Sequence, residues 1–365
     1  HNRVWIDLPV VVSLLFSKKT INNLWMKKVC YLSVMALLLV LFACGNHKST
    51  ETGNAKADSL PADLAEISKK IEENPKSAEL YNQRAIIYLD RKETDKALSD
   101  INKAITIDSK NSLYLRTLSD IYFATGKLKN CQEALNKACE MNPGDAEAVL
   151  KLAELHYYMK DYKKTFEYAE NALKIDKLNA KADFIKGMAY KDLGDTAKAV
   201  KSFQIAVEKD QEYFHAYMQL GLMYSVKHNP LAIDYFNNAL NINPKSIEAL
   251  YSLALFYQEN NQYNKAIEKY TTILQIEPKN KYAHYNLGYI HLVYLRVYDV
   301  AIKHFSEAIM CDPNYAEAYY NRGYSYELSG NVIAARNDYK KALELKVNYQ
   351  KAIDGMNRLD NITRK

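Results

Sequence analysis

Between residues 78 and 349 the sequence repeats itself at intervals of about 34 residues, which limits the folds open to the chain. A small residue comes early in each repeat, and successive members of this column lie 34, 34, 34, 34, 33, 34 and 35 residues apart. The column consists of Ala85, Ser119, Ala153, Gly187, Gly221, Ala254, Gly288 and Gly323. Eight repeats in one register predict a stack of similar elements, each in contact with its neighbours.

Further columns keep the same spacing and follow the order that a pair of packed helices requires. A mostly aromatic column comes three residues after the small one, which places both on one face of a helix. The second half of each repeat has a small column, a mostly large apolar column four residues later, and another small column. The large column consists of Ile101, Leu135, Ala169, Phe203, Phe236, Tyr270, Phe305 and Tyr339. Small side chains allow two helices to approach and large ones fill the space between them, so each repeat is predicted to be a helical hairpin.

Few residues interrupt these patterns, since the chain of 365 residues has only 11 glycines and 8 prolines. This composition favours a largely helical fold. Three glycines fall between the paired helices, where a left-handed residue commonly ends a helix: Gly126, Gly194 and Gly330. Four prolines fall where the second helix of a repeat must end: Pro143, Pro244, Pro278 and Pro313.

The period and the order of the columns resemble the tetratricopeptide repeat (TPR) over about three quarters of the chain. The resemblance implies an all-α fold, a right-handed superhelical solenoid of about eight helix pairs with terminal capping helices. The predicted repeats 1–8 are 78–111, 112–145, 146–179, 180–213, 214–246, 247–280, 281–315 and 316–349. A capping half-repeat over 61–76 and a capping helix and tail over 350–365 are expected to cover the two ends.

The N-terminal part of the sequence has the features of an export signal. Met26 is the natural start, so residues 1–25 are expected to be an upstream or removed segment. Two lysines then precede an uncharged, mostly apolar run over 29–42. This run is shorter than the roughly 20 residues that span a bilayer, but it suits the apolar core of a signal peptide. We therefore expect a signal peptide over 26–43.

The end of this run, Leu41 to Cys44, resembles the lipobox of bacterial lipoproteins. The resemblance implies that Cys44 becomes the mature N-terminus and carries acyl chains, which anchor the protein to a membrane. Gly45 after the cysteine implies, by the sorting rule of such lipoproteins, the outer membrane with the protein facing the periplasm. The polar residues 44–60 are expected to be a flexible tether. The alternative is that Cys44 merely follows a cleaved secretory signal.

Charge and motifs exclude several functional classes. The net charge is +6, but residues 1–43 carry five basic groups and one acidic group, so only +2 is left for the rest of the chain. No basic stripe is present, and we expect no nucleic-acid partner. The sequence also lacks a phosphate-binding loop and the common hydrolase motifs. We therefore expect neither an enzyme nor a cofactor.

Histidines and cysteines are more readily explained by packing than by chemistry. His284 and His291 lie seven residues apart on one predicted helix, and His304 lies on its partner. A metal site is conceivable there, but other repeats fill the first two columns with tyrosine, leucine or valine, so we expect packed histidines and no metal. Core packing is also the expected role of the cysteines within the repeats: Cys131, Cys139 and Cys311.

The resemblance implies that the first helix of each pair lines a concave groove through its fifth, sixth, ninth and twelfth positions. In the C-terminal repeats this predicts a partner-binding set of Tyr251, Leu255, Tyr285, Asn286, Tyr289, Tyr320, Asn321 and Tyr324. A secondary groove set in the middle repeats is Phe184, Met188, Met218 and Leu222. Tyrosines provide an apolar surface with polar tips, as recognition sites often do. The alternative is that some of these rings pack between repeats.

Asn286 and Asn321 occupy the sixth position of consecutive repeats. They resemble the asparagine ladder of the O-linked N-acetylglucosamine transferase superhelix, which binds an extended peptide through its backbone. An amide both donates and accepts hydrogen bonds, as backbone recognition requires.

The expected function is a membrane-tethered scaffold or adaptor that binds a partner protein or peptide in this groove. The alternative is a self-associating structural component of an envelope secretion or motility assembly, which leaves a homo-oligomer open.

Overall fold

The computed structural model describes residues 61–363, and this part of the chain consists of helices joined by short turns. Its eighteen α-helices and one π-helix fall into two compact units that divide between Asp161 and Tyr162. The predicted upstream segment, the signal peptide and the tether with Cys44 lie outside the described residues. Within residues 61–363 no helix combines the length and the apolar character needed to cross a bilayer.

The first unit contains a cap helix, two complete helix pairs and the first helix of a third. Its helices are α1 (Ala62–Glu73), α2 (Ala78–Asp90), α3 (Thr94–Ile107), α4 (Ser112–Ala124), α5 (Leu128–Met141) and α6 (Ala146–Tyr158). Each helix packs on the next one along the chain. Ala85, Ile101 and Ala104 lie in the core between α2 and α3. The hydroxyl group of Ser77 accepts a hydrogen bond from the Leu80 amide and caps the start of α2.

The second unit contains the second helix of the third pair, five complete pairs and a terminal helix. Its helices are α7 (Tyr162–Ile175), α8 (Ala180–Asp192), α9 (Thr196–Lys209), α10 (Phe214–Ser225), α11 (Leu231–Ile242), α12 (Ile247–Glu259), α13 (Tyr263–Ile276), α14 (Lys281–Tyr289), α15 (Tyr298–Cys311), α16 (Ala316–Leu328), α17 (Val332–Leu345) and α18 (Gln350–Thr363). A π-helix, Ile290–Leu295, directly continues α14. Consecutive helices pack on one another here as well, so both units are stacks of helical hairpins.

The starts of the first helices follow the register of the repeat. They begin at the first residue of each predicted range: Ala78, Ser112, Ala146, Ala180, Phe214, Ile247, Lys281 and Ala316. The turn after each of these helices contains one residue with positive φ: Lys92, Gly126, Lys160, Gly194, His228, Asn261, Arg296 and Gly330. The three glycines expected at this place have φ of 70°, 80° and 85°. Five repeats use a residue with a Cβ there, so the left-handed turn recurs even where glycine does not.

The small and large columns face each other within a helix pair, and their sizes are complementary. A Cβ atom added at Gly221 would lie only 2.5 Å from the Phe236 ring, which is itself fully buried. In repeat 1 the small residue is Ala85, and the smaller side chain of Ile101 shares its core. The two helices of a pair can approach closely because the small residue of the first helix and the large residue of the second are matched in size, as the repeat pattern predicts.

Helix α1 takes the place of the second helix of a preceding repeat. Arg84 binds both oxygens of Asp100, at 2.6 and 2.9 Å, and donates to Ser68 of α1 at 3.1 Å. Repeat 8 has the same arrangement, in which Arg322 binds Asp338 and a serine sixteen residues before the arginine. The buried residues of α1 are Leu64, Ile67 and Ile71, and most of its other side chains are exposed. A polar outer face is what a terminal cap requires.

At the other end, α18 packs on α16 and α17. Ala352 and Leu359 are fully buried, whereas Lys351, Asp354 and Asn357 are exposed. This helix therefore also presents a polar outer face.

The π-helix accounts for the one spacing of 35 residues. From Gly288 to Ala301 the chain is one residue longer than the corresponding part of repeat 6. The extra residue lies within Ile290–Leu295, where hydrogen bonds run from i to i+5, and the segment ends at Arg296 with φ of 56°. The insertion is absorbed in a helix, and α15 resumes the pattern of the other second helices.

Candidate functional site

Apolar side chains occupy the ninth position of five successive first helices in the second unit. These residues, called the apolar strip below, are Met188, Leu222, Leu255, Tyr289 and Tyr324, and all are partly exposed. The first helices of repeats 5 to 8 contact one another, since α10 contacts α12 and hydrogen bonds join α12 to α14 and α14 to α16. In the first unit the ninth positions hold Ile86, Asp120 and Glu154. Only Ile86 of these three is apolar, so an unbroken series of apolar ninth positions occurs in the second unit and not in the first.

Three exposed apolar residues extend this surface, and we did not predict them from the sequence. Val226, Val293 and Leu328 are 73%, 41% and 42% exposed and follow strip residues by four positions. Residues four apart lie on one helical face, so this spacing was the signal that could have identified them.

The π-helix adds an aromatic contact beside the strip. Because its turns span five residues, Tyr294 lies next to Tyr289, with ring centroids 6.0 Å apart. Tyr294 also stacks on Tyr263 of the preceding repeat at 4.2 Å. Single π-helical turns are frequent at functional sites, and this one orients a ring of the strip.

The fifth-position tyrosines, Tyr285 and Tyr320, pack against the tyrosines of the strip. The ring of Tyr285 stacks on Tyr315 at 5.0 Å and on Tyr289 at 6.4 Å. The rings of Tyr320 and Tyr324 are nearly parallel, with an interplanar angle of 8° and centroids 6.2 Å apart. Burial raises the pKa of Tyr285, so its hydroxyl group stays neutral. The fifth-position tyrosines therefore pack between repeats, which was the alternative to a role in binding. Tyr289 and Tyr324 are partly exposed and can contact a partner.

The expected peptide-binding role of Asn286 and Asn321 does not agree with their surroundings. Both are buried, with 9% and 7% of their surface exposed. The side-chain amide of Asn286 donates to the Tyr251 hydroxyl at 3.0 Å, and that of Asn321 donates to the Tyr285 hydroxyl at 2.8 Å. The sixth position faces the preceding repeat, so these asparagines join neighbouring first helices and are not groove residues.

Phe184 and Met218 of the secondary set are also buried, each with 1% of its surface exposed. The Phe184 ring contacts Tyr213, the residue just before the next helix, at 5.1 Å, and Phe203 at 5.5 Å. The fifth position therefore packs into the core of its own repeat. Of the secondary set, only Met188 and Leu222 remain in the strip.

Charged groups beside the C-terminal end of the strip are paired within the protein. The pairs are Lys281–Asp312 at 2.6 Å, Lys346–Glu317 at 2.7 Å and Arg358–Glu327 at 2.7 Å. Arg358 also lies 5.4 Å from the centre of the Tyr324 ring. Each of these three basic side chains therefore has an acidic partner within the protein.

The three histidines of repeat 7 come together around His304. Its ring centroid lies 5.9 Å from that of His284 and 5.7 Å from that of His291. His284 Nε2 donates to the Pro278 carbonyl and His291 Nδ1 to the Leu287 carbonyl. Burial, reinforced by the other two histidines, lowers the pKa of His304 to about 4. Among the described residues, no group of three or more potential ligands has the geometry to hold a metal ion.

The cysteines of the repeats are unpaired thiols in low-polarity surroundings. Cys131 is fully buried, and Cys139 and Cys311 are partly buried. Burial raises the pKa of Cys131 to about 12 and that of Cys139 to about 11. Such thiols stay protonated and unreactive near neutral pH.

Stacked helical hairpins with an open side-chain strip define a repeat scaffold, and sequence profiles agree. Tetratricopeptide-repeat profiles match residues 78–111, 117–145, 184–247, 298–330 and 316–349. A profile described as anaphase-promoting complex, cyclosome, subunit 3 matches residues 227–308. The chain belongs to the tetratricopeptide-repeat family. Proteins of this family mediate protein–protein interaction, and their scaffold is typical of non-enzymatic proteins.

Similar proteins come from distant organisms. BBSome complex member BBS4 of Bos taurus is 25% identical over 207 residues, which cover 56% of this chain and 40% of that protein. A TPR repeat-containing protein of Methanocaldococcus jannaschii is 27% identical over 206 residues, covering 54% of this chain and 36% of that protein. The match thus spans less than half the length of either relative.

Among solved structures, the C-terminal part of a TPR repeat-containing protein from Cytophaga hutchinsonii has a similar fold. The TM-score is 0.57 at 19% identity, and the match covers 66% of this chain and 98% of that one.

Proposed function

We propose that this protein is a lipid-anchored adaptor whose apolar strip holds a segment of a partner protein. The observation that carries the proposal is the strip itself, five partly exposed apolar side chains at one position of successive repeats. The exposed residues Val226, Val293 and Leu328 widen it. Contiguous apolar surface of this kind marks interaction sites in soluble domains.

The polar outer faces of α1 and α18 favour a partner on the strip over end-to-end assembly of the repeats. Exposed charged residues such as Lys69 and Asp354 would have to lose their hydration in such a stack.

Partner capture tests the strip. We expect Tyr289→Ala combined with Tyr324→Ala to lower recovery of the partner from detergent-solubilised envelopes about tenfold or more, because aromatic anchors carry much of the binding energy in interfaces. The measurement is quantitative mass spectrometry after affinity purification. Ile86→Ala, at the ninth position of repeat 1, is the matched control and should leave recovery unchanged. Identical partner lists for the double variant and the wild type would remove the proposal.

The anchor is proposed from the sequence around Cys44, which supports attachment to the outer membrane on its periplasmic side. We expect Cys44→Ala to move most of the protein from the membrane fraction to the soluble fraction, since the acyl chains would be lost. Cell fractionation with immunoblotting measures this, and Cys139→Ala is the control that should stay with membranes. Retention of Cys44→Ala in the membrane fraction would contradict the anchor.

A further inference from the structure

A stack of two histidine rings joins the π-helix of repeat 7 to α15. His291 of the π-helix stacks on His304 of α15, with ring centroids 5.7 Å apart and ring planes inclined by 27°. His291 lies two residues after Tyr289 of the apolar strip and three residues before Tyr294. Tyr294 in turn contacts Tyr289 and Tyr263. The arrangement of these tyrosine rings therefore depends on the π-helix staying against α15.

Hydrogen bonds fix the position of the proton on the two histidines that flank His304. A carbonyl oxygen only accepts, so His284 donates from Nε2 to the Pro278 carbonyl. His291 donates from Nδ1 to the Leu287 carbonyl for the same reason. Nδ1 of His284 and Nδ1 of His304 are buried, and neither forms a hydrogen bond with the protein. Neutral rings at both flanking positions are therefore enough to make the hydrogen bonds that the cluster contains.

A proton added to His304 gains no hydrogen bond in this arrangement. An imidazole N–H lies in the plane of its ring, whereas the His291 ring is stacked on the face of His304. On the other side, Nδ1 of His284 accepts no hydrogen bond from His304, although the two ring centroids are 5.9 Å apart. The added charge would be buried without compensation.

The charged groups around His304 act in the same direction. Burial is the largest cause that lowers its pKa, and His291 of the π-helix, His284 of α14 and Lys303 of α15 lower it further. Helix α16 also packs on α15, and its Arg322 donates to an α15 serine while it is bound to a carboxylate of α17. A protonated His304 therefore gains hydration and loses repulsion when the π-helix moves away from α15.

From the ring stack, its hydrogen bonds and its place beside the strip, we propose that the three histidines form a pH-sensitive switch. With neutral rings the switch holds the π-helix on α15. A proton on His304 releases the π-helix locally and separates Tyr294 from Tyr289 and Tyr263, while the other repeats of the second unit stay folded. Partner release at low pH is a consequence that rests on the proposed function of the strip, whereas the local opening does not.

Hydrogen exchange of the full chain, measured by mass spectrometry as protection factors at about pH 7 and about pH 4.5, tests the switch. Protection factors correct for the pH dependence of chemical exchange, so they report opening. In the closed state His304 takes up its proton near pH 4, but in the open state it does so near the ordinary 6.5, so opening becomes more favourable as pH falls between these values. Protection of residues 290–297 is expected to fall about tenfold, after allowance for solvent screening of a partly buried ring.

Two histidine variants separate this site from the rest of the unit. His304→Phe retains a ring but cannot be protonated, so it should abolish the loss of protection at low pH. His228→Asn removes a histidine from the turn of repeat 5, where φ is 50° and asparagine is tolerated, and should leave the loss unchanged. Circular dichroism checks that each variant is folded. His304→Tyr, which copies Tyr235 of repeat 5, replaces His304→Phe if the latter is not folded.

The other outcomes overturn the inference or confine it. Equal protection at both pH values, or an equal loss in the wild type and in His304→Phe, would overturn it. A loss spread evenly over all helices of the unit would overturn it too, since acid would then unfold the unit as a whole. If partner capture depends on Tyr289 and Tyr324 but protection does not depend on pH, only this inference fails. If residues 290–297 open at low pH but capture is independent of both tyrosines, the proposed function fails and the switch stands.

Discussion

Phe236→Ala is expected to lower the free energy of unfolding by about 3–5 kcal/mol. Phe236 is fully buried, and its ring fills the space that Gly221 leaves between α10 and α11. Removal of the ring leaves a cavity that two packed helices close only in part. Urea denaturation followed by circular dichroism measures the loss. Ile333→Ala, which truncates a side chain that is 78% exposed in the same unit, should change stability by less than about 0.5 kcal/mol.

A double-mutant cycle isolates the contact between the two columns. Gly221→Ala alone is expected to cost about 1–3 kcal/mol, since the new Cβ would lie 2.5 Å from the Phe236 ring. Combined with Phe236→Leu it creates a pair like Ala85 and Ile101 of repeat 1, so the double variant should be more stable than the sum of the single changes. Simple additivity, or a loss below about 1 kcal/mol for Phe236→Ala, would show that this packing is wrong.

Acidification is expected to weaken repeat 7 through His304. The pKa of His304 is lowered from the ordinary 6.5 to about 4, chiefly by burial and then by His291, His284 and Lys303. The unfolded chain therefore takes up a proton below about pH 6.5 that the folded chain takes up only near pH 4. The stabilisation is present above pH 6.5 and is lost as pH falls toward 4. We expect about 1–2 kcal/mol after allowance for solvent screening of a partly buried ring.

Repeat 5 supplies the matched control for this pH dependence. Tyr224 and Tyr235 occupy the places of His291 and His304, and their rings stack at 5.3 Å where the histidine rings stack at 5.7 Å. A variant with His291→Tyr and His304→Tyr is expected to retain the ring stacking, but it lacks the His304 imidazole that takes up the proton. Urea midpoints at about pH 7 and about pH 4.5 should differ less for the variant than for the wild type. An equal pH dependence in both would assign the acid sensitivity to other groups.

Much of the fold follows from the sequence, because each helix position is predicted from eight aligned repeats that agree with one another. The small column fixes the register, and the first helices begin at the residues that this register predicts. The secondary structure of repeat 7 could not be predicted in the same way. A spacing of 35 residues places an extra residue between Gly288 and Ala301, but a longer turn and a π-helix give the same count. The structure shows that the residue is taken up within a helix, where it brings Tyr294 into contact with Tyr263 and Tyr289.

The candidate site was predictable only in part, for a related reason. Helical periodicity gives the face on which a side chain lies, but not how far a neighbouring repeat reaches across it. Asn286 and Phe184 both lie on the first-helix face that the sequence suggested, yet a tyrosine from an adjoining turn or helix covers each of them. The ninth-position residues Tyr289 and Tyr324 stay partly exposed although Tyr294 and Arg358 lie beside them, and Val293 is exposed four residues after Tyr289.

Repeat 7 has one extra residue, and the π-helix Ile290–Leu295 accommodates it without a change in the helical-hairpin architecture. A residue gained inside a helix changes the direction of the side chains around it. Here this change brings Tyr294 over Tyr263 and beside Tyr289, while α15 packs in the usual way. A repeat protein can in this way change the side chains that one repeat presents and leave the register of the neighbouring repeats unchanged.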